Sequence, residues 1–240
     1  MLVLWQLLSS AGVLPSGKIP SPADIVSAVK ELLVQGLPVG NTLIIHCCYS
    51  LLRVICGFGL AVVIAVPLGI SLGWSRILRD ILTPVIEIIR PIPPLAWIPL
   101  AILWFGIGLK SASFIIFLGC FFPILLSTIS GVLAVDTVLV EAAKTLGAKE
   151  KEIFLKVLVP GATPSIYTGI RIGMGIGWMT LVAAEFTGVK SGYGLGYLIM
   201  TARDIQRPDY VVAGMTVIGL VGYLLDLVLR FMEARSLKWR

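Results

Sequence analysis

Apolar and polar positions along this chain alternate in long blocks. Residues 1–14, 49–74, 81–105, 111–135, 166–189 and 210–232 are predominantly apolar runs, separated by stretches where Pro, Gly and charge concentrate. All but the first reach the ~20 residues a helix needs to cross the hydrocarbon core of a bilayer. Lipid offers no partner for backbone N–H and C=O groups, so each long run predicts a membrane-spanning helix. Residues 1–14 are too few to span and lack the basic start and small-residue cleavage site of a secretory signal. They are read as the remainder of a first membrane helix, clipped by the start of the chain.

Several runs carry features beyond hydropathy. Ser21-Pro22-Ala23-Asp24 reads as a helix start, with Pro at the first helical position and an acid in the first turn. It opens a short amphipathic segment through Ala28, Leu32 and Leu33. In run 49–74, Gly57, Ala61, Ala65, Gly69 and Gly73 fall at every fourth position, and in run 166–189 so do Gly169, Gly173 and Gly177. Such stripes let another helix approach closely. Arg53, near the start of its run, is expected to snorkel to the interface.

Run 81–105 is interrupted by Pro91, Pro93, Pro94 and Pro99, which remove backbone donors at membrane depth. Glu87 and Arg90, three apart, share a helical face beside that break. A helix broken inside the membrane needs protein or a watery cavity to satisfy it, so the pair is either part of a pathway or a structural bridge. Glu185 lies fourteen residues beyond Arg171, about 21 Å along a helix. It either faces the pathway or is interfacial, the second being preferred. Residues 190–209 are read as an outer loop, whose Gly192, Gly194 and Gly196 lack the strand and the Lys-Ser/Thr of a phosphate loop.

The longest polar stretch between two apolar segments is Glu141 to Pro160. It reads as two short helices joined at a glycine. Glu141, Ala142, Ala143, Lys144 and Leu146 are good helix formers, Gly147 is a natural stop for the first helix, and Pro160 is expected to end the second. Ala142, Ala143, Leu146 and Ala148 give the first helix a small-residue face. In the second, Ile153, Phe154, Val157 and Leu158 recur at helical spacing opposite Lys149, Glu150, Lys151, Glu152 and Lys156, predicting an amphipathic helix at a membrane surface.

Composition agrees: 58% of the 240 residues are hydrophobic and 13% charged, with a mean hydropathy of +0.99, far too apolar for a soluble domain. The formal charge of +6 does not mark a nucleic-acid binder, because the basic residues sit at the ends of apolar runs and form no basic face. The positive-inside rule accounts for them. Arg76, Arg79, Lys144, Lys149, Lys151, Lys156, Arg230, Arg235, Lys238 and Arg240 fall on one side and Lys18, Lys30, Lys110, Lys190, Arg203 and Arg207 on the other, ten to six, so the first group is placed in the cytoplasm. Cys47, Cys48, Cys56 and Cys120 lack metal-ligand spacing and are read as packing residues. His46 is assigned no chemistry.

The polar stretch resembles the Glu-Ala-Ala loop of binding-protein-dependent ABC importer permeases. Glu141, Ala142, Ala143, Gly147 and Pro160 match that pattern in register, while Val157 and Val159 stand where it has Ile and Leu. The run Arg90-Pro91-Ile92-Pro93-Pro94-Leu95-Ala96 also resembles the nitrate, sulfonate, taurine and bicarbonate branch of the family. The resemblance implies an all-α integral membrane protein, a type I ABC importer-like helical bundle. Here that means five full transmembrane helices plus a shortened N-terminal one, in one permease domain, 1–240, with a cytoplasmic coupling loop at 136–163.

It further implies that Glu141, Ala142, Ala143, Gly147, Val157 and Pro160 couple to two cytoplasmic ATPase subunits. A second permease copy and an extracytoplasmic substrate-binding protein complete the assembly in the cell's inner membrane. Glu87, Arg90, Pro91, Pro93, Pro94 and Glu185 are candidates for the path of a small anion. No Walker motif occurs, so the chain is expected to be no enzyme, with no cofactor of its own and with ATP and Mg held by the partner. The alternative is a self-sufficient secondary transporter, which would draw on Glu87, Glu185 and Asp226 for ion coupling. A membrane-embedded enzyme is disfavoured by the lack of a nucleophile-base set.

Overall fold

The computed structural model describes residues 2–11, 19–187 and 192–236, all of whose regular structure is helical. α1 (Leu2–Ser10) is nine residues long, too short to span. α2 (Pro22–Val34) opens on the capping box expected at Ser21. The Ser21 hydroxyl accepts from the Asp24 N–H at 3.2 Å, and the Asp24 carboxylate accepts from the Ser21 hydroxyl and N–H. Those two donors hold the Asp24 carboxyl below the usual carboxylate range. Ile25, Ala28 and Leu32 are buried, whereas Leu33 stays exposed.

Three long helices form the core: α3 (Leu43–Trp74), α6 (Leu109–Leu133) and α9 (Val159–Thr187). Both glycine stripes press on α6. A Cβ on Gly69 would stand 2.7 Å from the Thr128 Cβ, and one on Gly73 2.5 Å from the Val132 Cβ. From the other helix, one on Gly173 would stand 2.8 Å from Ile124 Cγ1. With no hydrophobic drive between helices in lipid, this close backbone approach and the dispersion it gives hold the trio together. α3 starts earlier than its apolar run suggests and takes in His46, Cys47 and Cys48.

The proline-rich run is broken as expected. α4 (Arg76–Ile89) is followed by a 3₁₀ turn at Pro94–Trp97 and by α5 (Ile98–Phe105), with a bend of 80° between the two parts. Among the described residues, four helices are long and apolar enough to cross a membrane: α3, α6, the stretch Glu150–Phe186, and α11 (Pro208–Ser236). A fifth crossing arises when the bent pair is taken as one span.

Two expectations are corrected. Pro160 does not end a helix: α8 (Glu150–Ile153) runs through a π turn, Phe154–Leu158, straight into α9. The Val159 N–H reaches back to the Phe154 carbonyl, and this wider turn resets the register so that Pro160 sits in the first turn of α9, where a missing N–H costs little. The outer stretch is not all loop either, because α10 (Leu195–Asp204) buries Leu195, Leu198, Ile199 and Ala202. Those four fall at helical spacing, a signal masked by the surrounding glycines. Lys190 lies outside the described residues.

Candidate coupling loop and translocation groove

α7 (Thr137–Thr145) begins where the Asp136 carboxylate accepts from the Val138 N–H at 2.9 Å. It ends at Gly147, whose φ of +81° lies in the left-handed region. There the N–H groups of Gly147 and Ala148 return to the carbonyls of Lys144 and Ala143. α8 then starts with the Lys149 N–H donating to Glu152 Oε2 at 3.1 Å.

The small-residue face expected on α7 is divided. Ala143 and Ala148 turn inward and pack, with Val140, Phe154 and Val157, on a buried cluster of Val132, Ile153, Leu158, Ala162 and Ile166. Glu141 and Ala142 are exposed, Leu146 is 88% exposed, and Val138 and Leu139 are 64% and 56% exposed. Val138, Ala142 and Leu146, four apart, therefore form an uncovered apolar stripe on a polar loop. Sequence reasoning named two of the three. Val138 was missed because it precedes the motif, although the spacing was readable. The second helix is anchored by its apolar face, as expected, and Phe154 meets Trp74 at the end of α3 edge-on, with centroids 5.8 Å apart.

Glu87 and Arg90 are both exposed and make no ion pair with each other, so the structural bridge does not form. Arg90 instead caps α4 and lines a groove of about 810 Å³. Ile92, Pro94 and Trp97 line it from the break, Phe122 and Leu126 from α6, and Ile176 from α9. Pro91 and Pro93 create the bend but do not line the groove. α4 buries none of its residues: Leu78, Leu82 and Ile86 lean on the core, Ile77, Ile81, Val85 and Ile88 face outward, and Arg76, Asp80, Thr83, Glu87 and Arg90 share a third side. A charged side in hydrocarbon costs ~2.5–3.5 kcal/mol per central charge, so this side belongs to water or to protein.

Glu185 does not line this groove, and Arg53 does not snorkel. Both are buried, and Arg53 Nη1 donates to Glu185 Oε1. The same carboxylate accepts from the Ser50 hydroxyl at 2.7 Å and from the Gly196 N–H at 2.8 Å, while Arg53 also donates to the Tyr193 carbonyl at 2.7 Å. The Gly194 N–H and His46 Nδ1 are 3.0 Å apart, and the Leu195 N–H donates to Ser50 Oγ at 2.9 Å. Thus side chains of α3 and α9 take three consecutive amides of the segment leading into α10. A Cβ on Gly194 would lie 2.5 Å from Glu185 Oε1, so only glycine fits. The reason for the misplacement is that each charge neutralises its partner across the bundle, which hydropathy cannot register. Near the opposite end Arg171 pairs with Asp226 at 3.2 Å and Glu233 at 3.0 Å, which removes Asp226 as an unpaired intramembrane acid.

A chain of apolar spans with a broken helix, a groove carrying one cation and an uncovered amphipathic loop defines a multi-pass membrane permease. Residues 65–238 match the family described as binding-protein-dependent transport system inner membrane component. The taurine transport system permease protein of Escherichia coli is 38% identical over 242 residues, covering all of this chain and 86% of that protein. A putative ABC transporter permease protein of Methanocaldococcus jannaschii is 48% identical over all of this chain and 88% of its own length. The nitrate import permease protein of a Synechocystis strain is 34% identical over 98% of this chain and 85% of that protein.

Among solved structures, the MetNI methionine ABC transporter in an inward-facing conformation superposes with a TM-score of 0.67 at 21% identity, covering 81% of this chain and 95% of that one. The chain belongs to the binding-protein-dependent inner membrane component family and is the permease subunit of an ABC importer.

Proposed function

We propose that this chain carries a small oxoanion of the sulfonate, taurine, nitrate or bicarbonate type across the membrane, as two copies joined to two ATPase subunits and fed by an external binding protein. The observation that carries this reading is Arg90, an exposed cation placed by the proline break at the wall of an otherwise apolar groove. The groove is open on one side of a single chain, which is what a second copy would close. The relatives named for taurine and nitrate supply the substrate class.

ATP and Mg bind to the partner subunit, which docks on the Val138, Ala142 and Leu146 stripe and meets Glu141 at its edge. Gly147, Val157 and Pro160 serve this role indirectly: they set the turn, the inner packing and the helical register that hold α7 in place. Movement of α7 reaches the bundle through the π turn and α9, which are one continuous helical stretch with α8. The test is uptake of taurine and of nitrate into proteoliposomes holding the assembled transporter. Uptake that needs internal ATP and the binding protein supports the proposal. Uptake driven by an ion gradient without ATP would establish the secondary-transporter alternative instead.

A further inference from the structure

Toward the C-terminal end of α6, Leu126 lines both the Arg90 groove and a second hollow of about 540 Å³, whose other walls are Ser127, Ser130, Ser165 and Thr168. Four hydroxyls from two helices converge there, in contrast to the apolar wall above. The convergence comes from reciprocal packing. Ser127 of α6 lies over Gly169 of α9, where an added Cβ would stand 2.5 Å from the Ser127 Cβ, and Ser165 of α9 lies in the same way over Gly131 of α6. Each serine thus occupies the notch left by a glycine on the facing helix. The Thr168 hydroxyl donates to the Pro164 carbonyl at 3.0 Å, which leaves its oxygen lone pairs outward, while the hydroxyls of Ser127, Ser130 and Ser165 donate to no group among the described residues.

We infer that Ser127, Ser130 and Ser165 form a hydroxyl-lined subsite for an oxoanion, beside the Arg90 groove. Three free O–H donors suit the several oxygens of a sulfonate or nitrate, and neutral donors hold such an ion loosely enough to let it go, whereas a second cation would retain it. Ser130 and Thr168 are exposed, so the hollow opens to the outside of the single chain. The inference rests on the anion-importer reading, but its test does not depend on ATP.

The geometry supplies a clean substitution. Alanine keeps the Cβ that fills the glycine notch and removes only the hydroxyl, so Ser127→Ala and Ser165→Ala leave the α6–α9 packing intact. The probe is a pair of thiol reagents of similar size, one bearing a sulfonate and one a quaternary ammonium. They are applied to Ser130→Cys in the assembled transporter in nanodiscs, with the four native cysteines replaced by alanine. The sulfonate reagent is expected to react the faster, with its advantage falling about five-fold in the Ser127→Ala or Ser165→Ala background, the factor of one lost hydrogen bond near 1 kcal/mol. Equal rates for the two reagents, an advantage unchanged by either alanine, or an introduced thiol inert to both would overturn the subsite. ATP-driven uptake by the same variants in proteoliposomes reports separately on the importer reading.

Discussion

Arg53 and Glu185, 132 positions apart in the chain, meet inside the helix bundle and share their hydrogen bonds with the segment that leads into α10. The pair fastens α3 to α9 and to the outer segment at once. Its position in a low-dielectric interior makes the two charges depend on each other.

Removing one of the two leaves the other charge buried without its counter-ion, a loss of ~3–5 kcal/mol. Glu185→Gln and Arg53→Met are each expected to lower the yield and thermal stability of the purified protein strongly. The double change Arg53→Met with Glu185→Leu should recover most of the loss. Equal damage from the double and single changes would show that the fastening role, not charge balance, dominates.

Gly69 and Gly59 lie on the same helix but differ in surroundings. A Cβ on Gly69 meets Thr128 at 2.7 Å, while one on Gly59 meets nothing within 4 Å. Gly69→Val should therefore push α3 off α6 and destabilise the protein by ~1–3 kcal/mol. Gly59→Val should be nearly silent in the same melting measurement.

Leu146 and Val138 are exposed apolar residues on the proposed ATPase-docking face. Leu146→Glu is expected to reduce co-purification of the ATPase by at least ten-fold without affecting membrane insertion. Gly147→Ala meets no steric obstacle and should cost only the ~1 kcal/mol of a positive φ, giving a mild coupling defect. Gly147→Asp, which adds a charge beside the docking face, should uncouple ATP hydrolysis from uptake. A normal ATPase complement and normal uptake in Leu146→Glu would reduce the loop to a connector.

Arg90→Gln should cut uptake of taurine or nitrate several-fold while the complex assembles normally, since the guanidinium is exposed in the groove and makes no ion pair among the described residues. Loss of assembly, seen by size-exclusion chromatography, would assign Arg90 to the contact between copies.

Orientation can be read with cysteines placed at Lys149 and Arg203, both exposed. A membrane-impermeant thiol reagent added to intact cells should label Arg203→Cys and spare Lys149→Cys. The reverse pattern would invert the topology.

The sequence alone determined that this is a helical membrane protein, where its long apolar runs lie, which one is broken, and that a loop built around Glu141 and Gly147 links two of them. These features follow from hydropathy, from proline's missing donor and from glycine's access to positive φ, all of which are local. It also determined the glycine stripes, because a small residue every fourth position is visible in one dimension. Tertiary structure decided what each stripe touches, that Arg53 and Glu185 cancel one another, and that Glu87 and Arg90 do not pair. It decided too that Ala143 and Ala148 face inward while Val138 and Leu146 face out. Pairing across 132 residues and the rotation of a helix about its axis depend on which neighbour fills the space beside it. Only the assembled bundle fixes that neighbour, and with it the point at which a buried charge becomes cheaper to keep than to expose.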